Sequence, residues 1–384
     1  MTDMDTVAQP PSSMVRPPLD QEFLEVLGPI APLVSRPDIS EVMVMSDREV
    51  YIEVNGIVEL TDIKFESEPQ LIGTIEAIVH SVGRDIGPHS PLCDARLPDG
   101  SRVHAAVRPV AVDGPMLTIR KFIEGPDQPD TLVRIGTASA EALALLRLAV
   151  EAKTNIVITG GTARGKTTLL NVVSGFIPEG ERIITIEDAA ELRLRQRHVG
   201  RLETVSSVTA LQDGRQPVTI RDLVITSLRM RPDRIIVGEC RGAEALDMMQ
   251  AMNTGHEGSL TTIHANSPRD ALARIENMIL MSGYDIPVRA IRQQMAAAFD
   301  MFVHLDRLRD GSRRIVQISE ITGMEGETIS MQDVFRFDFQ GYNEDGTIRG
   351  RVAPTQVRPK VVDEALEAGL QIPQELLRLY PLPR

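Results

Sequence analysis

The chain has 384 residues, a formal net charge of -13, 42% hydrophobic residues and 3% aromatic residues. This length indicates roughly two or three domains. The acidic charge argues against a general affinity for nucleic acid or anionic lipid, because both require a basic field. Two cysteines cannot form a disulfide framework, and neither a secretory signal nor an apolar run long enough to cross a bilayer is present, so a reducing cytoplasm is expected.

The N-terminal third predicts a disordered tail followed by a small α+β domain. Residues 1–19 hold four prolines among polar residues and too little apolar sequence to fold. From 20 to 122, strand-like alternation in SEVMVM, EVYIEVNG and GPMLTIRKF is interspersed with helical patterns in EFLEVLGPIAPLV and EPQLIGTIEAIVHSVG. The run ARLPDGSRVHAAV predicts a hairpin that turns at PDG.

A second, larger domain is predicted beyond a linker. Residues 123–137 begin with IEGPDQPDTL, whose proline, glycine and acidic residues are typical of an interdomain linker. From 138 to 350, a helix over 139–152 precedes the apolar strands NIVITGG, RIITIED, DRIIVGE and GSLTTIHAN, which alternate with helices. This alternation predicts an α/β domain with a mainly parallel sheet.

The end of the chain changes pattern. The runs RRIVQISEITG and DVFRFDF predict antiparallel strands, and residues 351–384 predict a C-terminal tail with a short helix at RPKVVDEALEAGL. One basic segment interrupts the second domain at residues 193–201, RLRQRHVGR. We interpret it as a solvated segment that faces a partner, with a local nucleic-acid site as the alternative.

A phosphate-binding loop is predicted where ITGGTARGKTT follows an apolar strand and opens a helix. The motif G-x-x-x-x-G-K-[ST] requires glycines for close approach, backbone N–H groups facing the phosphates, a lysine for the β and γ oxygens, and a hydroxyl for Mg²⁺. Thr167 supplies that hydroxyl. The predicted nucleotide-binding residues are Gly160, Gly161, Thr162, Ala163, Arg164, Gly165, Lys166, Thr167 and Thr168.

Two residues in the variable part of this loop are unusual. Ala163 adds a methyl group and limits positive φ. Arg164 has three open directions, toward solvent, toward an adjacent subunit, or onto the γ-phosphate. We favour the first two, because the variable positions contribute chiefly backbone donors.

Hydrolysis needs a group that orients or deprotonates water, usually a carboxylate at the end of a neighbouring strand. Glu239 ends the strand in DRIIVGE and is the predicted water-activating residue, with an ordinary surface glutamate as the alternative. Arg241 follows in GECRG and either pairs with Glu239 or organises the loop.

Two further clusters follow other strands. Glu187, Asp188 and Glu191 in ITIEDAAEL are candidates for the Mg²⁺ shell or the attacking water, or they merely complement a helix dipole. His256 and His264 lie eight positions apart in TGHEGSLTTIHANSP with a strand between them, which excludes adjacent metal ligands. They are expected to act as sensors that hydrogen-bond a phosphate or carboxylate, or else as ordinary packed histidines.

Together, ITGGTARGKTTLLN, TIEDAAEL, RPDRIIVGECRG and TGHEGSLTTIHANSP resemble the Walker A, Asp, Walker B and His boxes of the secretion ATPases of type II and type IV systems and type IV pili. The likeness spans roughly residues 35–370 and is strongest to the tight-adherence (Tad) pilus branch. It implies a RecA-like P-loop NTPase fold for the second domain. The four-cysteine zinc insert of type II members is missing, so no zinc is expected.

The resemblance also implies a hexamer that binds ATP and Mg²⁺ between its two domains, with N-domain arginines near the phosphates. Arg120 in LTIRKF matches such a position, and Arg102 in DGSRV matches one less well. The family usually has Gly and Ser where this chain has Ala163 and Arg164.

Three functions follow as expectations. The first is a cytoplasmic motor ATPase, peripheral at the bacterial inner membrane, whose closure about the linker at 123–132 drives pilus assembly or protein secretion through an inner-membrane platform protein. The second is a ring ATPase directed at nucleic acid, which the charge of -13 opposes. The third is a nucleotide-dependent scaffold that does not hydrolyse ATP, suggested by Ala163 and Arg164.

Overall fold

The computed structural model describes residues 19–381 except 55, 123, 124, 127 and 213, and of 211 and 212 it describes the backbone alone. The predicted disordered tail at 1–19 therefore lies outside the described residues apart from Leu19. The chain divides into two compact units. Unit 1 comprises the residues up to 124 together with 205–218, and unit 2 comprises 125–204 and 219–384.

The regular elements, in chain order, are thirteen α-helices and fifteen strands within the described residues. The helices are α1 Gln21–Val26, α2 Ala31–Ser35, α3 Glu68–Ser81, α4 Pro129–Arg134, α5 Ala140–Glu151, α6 Lys166–Ser174, α7 Ser207–Gln212, α8 Ile220–Ser227, α9 Glu244–Asn253, α10 Pro268–Leu280, α11 Val288–Ala298, α12 Lys360–Glu367 and α13 Gln374–Leu379. The strands are β1 Ile39–Val44, β2 Val50–Val54, β3 Ile57–Leu60, β4 Leu92–Arg96, β5 Arg102–Ala106, β6 Met116–Arg120, β7 Ile156–Thr159, β8 Ile183–Glu187, β9 Val199–Glu203, β10 Arg234–Val237, β11 Leu260–Ile263, β12 Met301–Arg307, β13 Arg313–Glu325, β14 Thr328–Tyr342 and β15 Ile348–Pro354.

Unit 1 is an antiparallel sheet in the order β3-β2-β1-β6-β5-β4. Val42 and Ile119 point into a core that also holds Leu71 and Ile75 of α3. The apolar residues of α3 recur at helical spacing and are fully buried, and Ser67 caps the helix by accepting the N–H of Gln70. The predicted α+β domain with its strands and its long helix is therefore present.

A second stretch of chain also belongs to unit 1. Residues 205–218 leave unit 2 after β9, carry α7 against β4, and close with a bridge between Val205 and Val218. Asp94 of β4 accepts a hydrogen bond from Ser206 at 2.9 Å. The expected ATPase domain at 138–350 was therefore wrong in including 205–218, because these residues pack on the N-terminal sheet.

Unit 2 is built on a sheet of nine strands in the order β15-β14-β13-β12-β7-β11-β10-β8-β9. The six strands from β12 to β9 are parallel to their neighbours, and β13, β14 and β15 continue the sheet antiparallel. All residues of β7, β8, β10 and β11 are buried, as expected for parallel strands covered on both faces. The mainly parallel α/β sheet is as predicted.

The C-terminal residues are part of unit 2 rather than a tail. β15 pairs with β14, and Val361, Val362 and Leu376 of α12 and α13 are buried in the same core as α5. The predicted tail at 351–384 is therefore wrong except for its helix. The predicted linker at 123–137 likewise contains α4, whose Leu132 is buried; its residues 123, 124 and 127 lie outside the described part of the chain.

Within the described ranges, no helix is both long and apolar enough to span a membrane. The segment at 193–201 is not a wholly solvated one, because Leu194 and Gln196 are buried and the Gln196 amide donates to the carbonyl oxygens of Ser174 and Ile177. Its last residues begin the edge strand β9.

Candidate phosphate-binding and hydrolytic site

The glycine loop joins the carboxyl end of β7 to the amino end of α6. A methyl group at Gly160 would lie 2.6 Å from the carbonyl oxygen of Leu305, so only glycine fits. Gly165 precedes the first residue of α6 with φ of +90°, a value that favours glycine. The first backbone N–H groups of α6 are free of helical partners, which makes this end of the helix suited to anionic phosphates.

Ala163 adopts φ of +56° in this loop. L-residues other than glycine pay roughly 1–2 kcal/mol for this left-handed conformation. The limit that the alanine methyl group places on positive φ, expected from the sequence, therefore applies at this position.

Arg164 turns toward the end of β12 in its own chain. Its NH1 lies 3.2 Å from Oδ1 of Asp306 and donates to the carbonyl oxygen of Arg307 at 3.0 Å. This intrachain pair was not among the three directions considered from sequence. In this conformation the Arg164 side chain is still 31% exposed.

Lys166, His264 and Glu239 form a continuous chain of contacts beside the loop. The Lys166 ammonium donates to the carbonyl oxygen of Gly161 at 3.0 Å and lies 3.4 Å from Nδ1 and 3.3 Å from Nε2 of His264. Nε2 of His264 lies 2.6 Å from Oε1 of Glu239. The carboxyl ends of the parallel strands β7, β10 and β11 bring the three side chains together beside the loop. The catalytic roles of His264 and Glu239 stay predictions.

Burial and neighbouring charge shift the pKa values of Lys166 and His264. Burial lowers the pKa of Lys166 to about 8, although the Glu239 carboxylate opposes the shift. Burial and the Lys166 ammonium lower the pKa of His264. The Lys166 ammonium lies within 3.4 Å of both ring nitrogens of His264, whose Nε2 also contacts Glu239. Oε1 of Glu239 accepts no hydrogen bond among the described residues.

Arg241 contacts two acidic residues that lie in different sequence motifs. Its NH2 donates to Oε2 of Glu239 at 2.5 Å, and its NH1 lies 3.3 Å from Oδ2 of Asp188. Of the two roles left open, pairing with Glu239 is the one observed. Because Arg241 is exposed, this pair is screened and easily exchanged for another anion.

Glu187 has a structural task at the end of β8. Its Oε1 accepts the backbone N–H groups of Glu191 and Leu192 at 2.9 and 3.1 Å, and its side chain packs against Gly238. Burial raises the pKa of Glu187 to about 7, more than the two hydrogen bonds lower it. The Glu187 carboxyl group therefore orders the loop that follows β8, which is an alternative to the predicted role in the Mg²⁺ shell. Glu191 takes part in this loop through its backbone N–H.

His256 does not share the site with His264. It precedes the amino end of β11, whereas the phosphate loop and His264 follow carboxyl ends of β7 and β11, so the length of the sheet lies between them. His256 therefore does not lie beside the phosphate loop of its own chain, and its role as a sensor of phosphate or carboxylate stays a prediction. Its carbonyl oxygen accepts a hydrogen bond from Ser259 in the turn before β11.

The two predicted arginines of unit 1 are cross-strand neighbours. Arg102 of β5 is paired with Arg120 of β6 and, on its other side, with Arg96 of β4. Sequence reasoning missed Arg96, because only strand register shows that the three stand in one row. Arg120 is exposed at the end of this row. The assignment of Arg102 and Arg120 to a nucleotide stays a prediction.

The residues at the loop suit a divalent ion held mainly by its substrate. Among the described residues, no group of three or more His, Cys, Asp or Glu side chains could hold a metal ion. Mg²⁺ keeps several waters and binds through one or two protein oxygens and the substrate phosphates. The Thr167 hydroxyl in the first turn of α6 provides one such oxygen, so the site fits Mg²⁺ with a nucleotide and does not resemble a protein-only metal centre.

Sequence reasoning also missed β12, the strand next to β7. His304 and Asp306 lie near its carboxyl end, and Nδ1 of His304 is 2.9 Å from the hydroxyl of Thr159. The alternation of MFVHLDR was a usable signal for this strand. The position of β12 beside the phosphate loop could not be predicted from that pattern, because strand order depends on the whole sheet.

Comparison with known proteins agrees with this geometry. A family model described as type II/IV secretion system protein matches residues 24–333. A putative conjugal transfer protein of Mycobacterium tuberculosis is 35% identical over 312 residues, which cover 80% of this chain and 87% of that protein. Type IV secretion system protein PtlH of Bordetella pertussis is 33% identical over 320 residues, covering 76% and 93% of the two chains.

Solved structures agree in fold. The pilus retraction motor PilT with bound ADP gives a TM-score of 0.54 at 17% identity, over 93% of this chain and 92% of that chain. The ATPase DotB of Yersinia pseudotuberculosis also gives a TM-score of 0.54, at 14% identity over 79% and 80% of the chains. These likenesses establish a P-loop fold of the RecA-like type.

Proposed function

The chain belongs to the type II/IV secretion system protein family and is an ATPase, and we propose that it is a cytoplasmic hexameric motor whose ATP hydrolysis powers assembly of a Tad-type pilus or protein secretion. The observation that carries the proposal is the contact chain from Lys166 through His264 to Glu239 beside a glycine loop. It joins a phosphate-binding cation to a candidate base for water, which is the minimum that hydrolysis requires.

The resting contacts define what each residue does when ATP arrives. The γ-phosphate competes with His264 and the Gly161 carbonyl for the Lys166 ammonium, because an anion is a stronger partner than either neutral acceptor. His264 is then released from Lys166 and is free to donate a hydrogen bond to Glu239, which it already contacts at 2.6 Å. Glu239 orients the attacking water, and Mg²⁺, when bound with ATP, neutralises charge on the phosphates.

The other parts of the motor follow from the same proposal. Arg120 stabilises charge on the γ-phosphate, since a guanidinium presents several donors to phosphate oxygens. Motion between the units about 123–132 is passed by the ring to an inner-membrane platform protein. The Tad assignment rests on the resemblance of SGFIPEGERIITIEDAAEL and the late RPK…LEAGL to that branch.

A second candidate has one observation in its favour. The relative from Mycobacterium tuberculosis is described as a conjugal transfer protein, so an ATPase of a conjugal transfer apparatus, directed at nucleic acid, is the alternative. The net charge of -13 disfavours direct binding to nucleic acid. Tight, salt-sensitive retention of DNA in a low-salt filter-binding assay would favour this alternative over the pilus motor.

The test of the proposed function is phosphate release by purified protein with Mg²⁺ and ATP. Lys166→Ala and Glu239→Gln are each expected to lower the rate by at least about a hundredfold, because one removes the phosphate cation and the other the base. Lys64→Ala, a lysine change in unit 1, is the control and retains the wild-type rate. Wild-type turnover in both site variants, or ATP binding without turnover in the wild type, would contradict the proposal.

A further inference from the structure

The Arg164 side chain is fixed by the end of β12 rather than by the phosphate loop itself. Its NH1 contacts Oδ1 of Asp306 at 3.2 Å and the carbonyl oxygen of Arg307 at 3.0 Å. The residue before it in the loop, Ala163, has φ of +56° and no side chain able to hold that conformation. Arg164 is therefore the loop residue through which a neighbouring strand can act on Ala163.

Asp306 is itself held in place. Its Oδ1 accepts the backbone N–H of Arg307 at 2.8 Å, which fixes the direction of the carboxylate. Two residues earlier on β12, the buried His304 contacts Thr159 of β7, with its Nδ1 2.9 Å from the Thr159 hydroxyl. The acceptors that meet Arg164 thus lie on the strand next to the one from which the loop departs. The side chains of Arg164 and Asp306 are 31% and 48% exposed, so their ion pair is screened and contributes no more than about 1 kcal/mol.

We propose that Asp306 is a positioning residue for ATP binding, which anchors Arg164 and thereby keeps Ala163 in the left-handed conformation that the phosphate loop requires. A glycine at position 163 reaches that conformation without strain and needs no anchor. Alanine does not, so the arginine and the aspartate supply what the glycine would have provided. The inference deepens the proposed ATPase site and rests on it.

The anchor affects affinity more than turnover. If the loop is competent to bind only part of the time, the apparent dissociation constant rises by the inverse of the competent fraction. Once ATP is bound, the phosphates themselves hold the backbone N–H groups in place. Loss of the anchor therefore raises KM and the dissociation constant, and leaves kcat at saturating ATP nearly unchanged.

The experiment is a double-mutant cycle read by titration of a fluorescent ATP analogue and by steady-state hydrolysis. Asp306→Asn is expected to raise both the dissociation constant and KM by roughly threefold to tenfold, with kcat within about twofold of wild type. In an Arg164→Ser background the same change adds less than about twofold, because no guanidinium remains to be held. Adding Ala163→Gly to Asp306→Asn restores the wild-type dissociation constant.

Arg336→Ser is the matched control. It breaks an arginine–aspartate pair of 2.8 Å with Asp333 on β14, in the same sheet, and leaves analogue binding unchanged. An unchanged dissociation constant for Asp306→Asn, an equal effect in the Arg164→Ser background, or no restoration by Ala163→Gly would each overturn the anchor. If the wild-type protein binds the analogue but does not hydrolyse ATP, the proposed motor function is contradicted. The double-mutant cycle on binding would still test whether Asp306 anchors Arg164.

Discussion

At the scale of single residues, burial distinguishes the two glutamates at the ends of β8 and β10. The Glu239 side chain is 17% exposed and lies between His264 and Arg241, at 2.6 Å and 2.5 Å. Glu187 lies one strand away, is only 3% exposed, and its Oε2 has no hydrogen-bond partner among the described residues. The two glutamates therefore suit different tasks, water activation for Glu239 and loop order for Glu187.

Glu187 predicts a pH dependence of stability. Its pKa rises from 4.5 to about 7 in the folded state, so the protonated form is the one that folding favours. Its contribution is fully present below pH 4.5 and is lost as the pH rises through 7, at a cost of about 3 kcal/mol. We expect Glu187→Gln to lose less stability than the wild type between pH 4.5 and 7.5 in urea unfolding.

The comparison is made against Glu257→Gln, a change of an exposed glutamate in the loop before β11. That control is expected to follow the wild-type curve at every pH. Parallel curves for Glu187→Gln and wild type would show that Glu187 is not protonated in the native protein.

At the scale of elements, one buried arginine joins the ends of the strands opposite the phosphate loop. Arg234 begins β10 with no exposed surface, and its guanidinium pairs with Glu181 at 2.5 and 3.1 Å. It also donates to the carbonyl oxygens of Val150, at the end of α5, and Gly258, before β11. A buried ion pair of this kind is costly to disturb, because a lone charge would remain in the core.

Gly258 is the test of this packing. A methyl group there would lie 1.8 Å from NH1 of Arg234, and φ is +79°. We expect Gly258→Ala to lower the free energy of unfolding by about 3–5 kcal/mol, since the paired arginine must move. Gly255→Ala is the matched control: it has φ of +97° but no atom within 4 Å, so it should cost only about 1 kcal/mol.

Equal losses for the two variants in urea unfolding would mean that backbone strain alone explains Gly258. A larger loss for Gly258→Ala, with the difference removed in an Arg234→Met background, would assign the excess to the guanidinium.

At the scale of the whole molecule, the chain passes between its two units after residues 124, 204 and 218. The segment 205–218 continues directly from β9 and returns at α8, whose start is fixed by a capping box between Thr219 and Asp222. The two units are therefore connected at three points of the chain and not by the segment at 123–137 alone. Any motion between the units must also be accommodated at 204 and 218.

Limited proteolysis can measure how firmly residues 205–218 are attached to the sheet of unit 1. Asp94 accepts from Ser206 at 2.9 Å and contacts Nδ1 of His104 at 2.7 Å, so Asp94→Ala should loosen the segment. We expect trypsin to cut after the exposed Arg215 severalfold faster in this variant, because local opening governs cleavage.

Asp85→Ala serves as the control, since it breaks a similar contact, with His80 at 2.8 Å, elsewhere in unit 1. Unaltered cleavage at Arg215 in Asp94→Ala, or equal acceleration in Asp85→Ala, would show that Asp94 does not hold the segment.

The sequence by itself determined the parts of this protein that depend on neighbouring residues. The strand, glycine loop and helix around Lys166, the acidic end of DRIIVGE and the hairpin at PDG are each encoded within about fifteen residues, where periodicity and turn chemistry act. The class of site and the mainly parallel sheet follow from them. The resemblance to secretion ATPases rests on the same local motifs.

Only the tertiary structure decided which of these parts meet. His264 reaches Lys166 and His256 does not, because parallel strands place all carboxyl ends on one edge of the sheet. Asp306 meets Arg164, and 205–218 leaves the ATPase unit, through contacts between residues far apart in the chain. Such contacts depend on the order in which the nine strands pack to bury apolar surface. A local pattern of side chains does not specify that order.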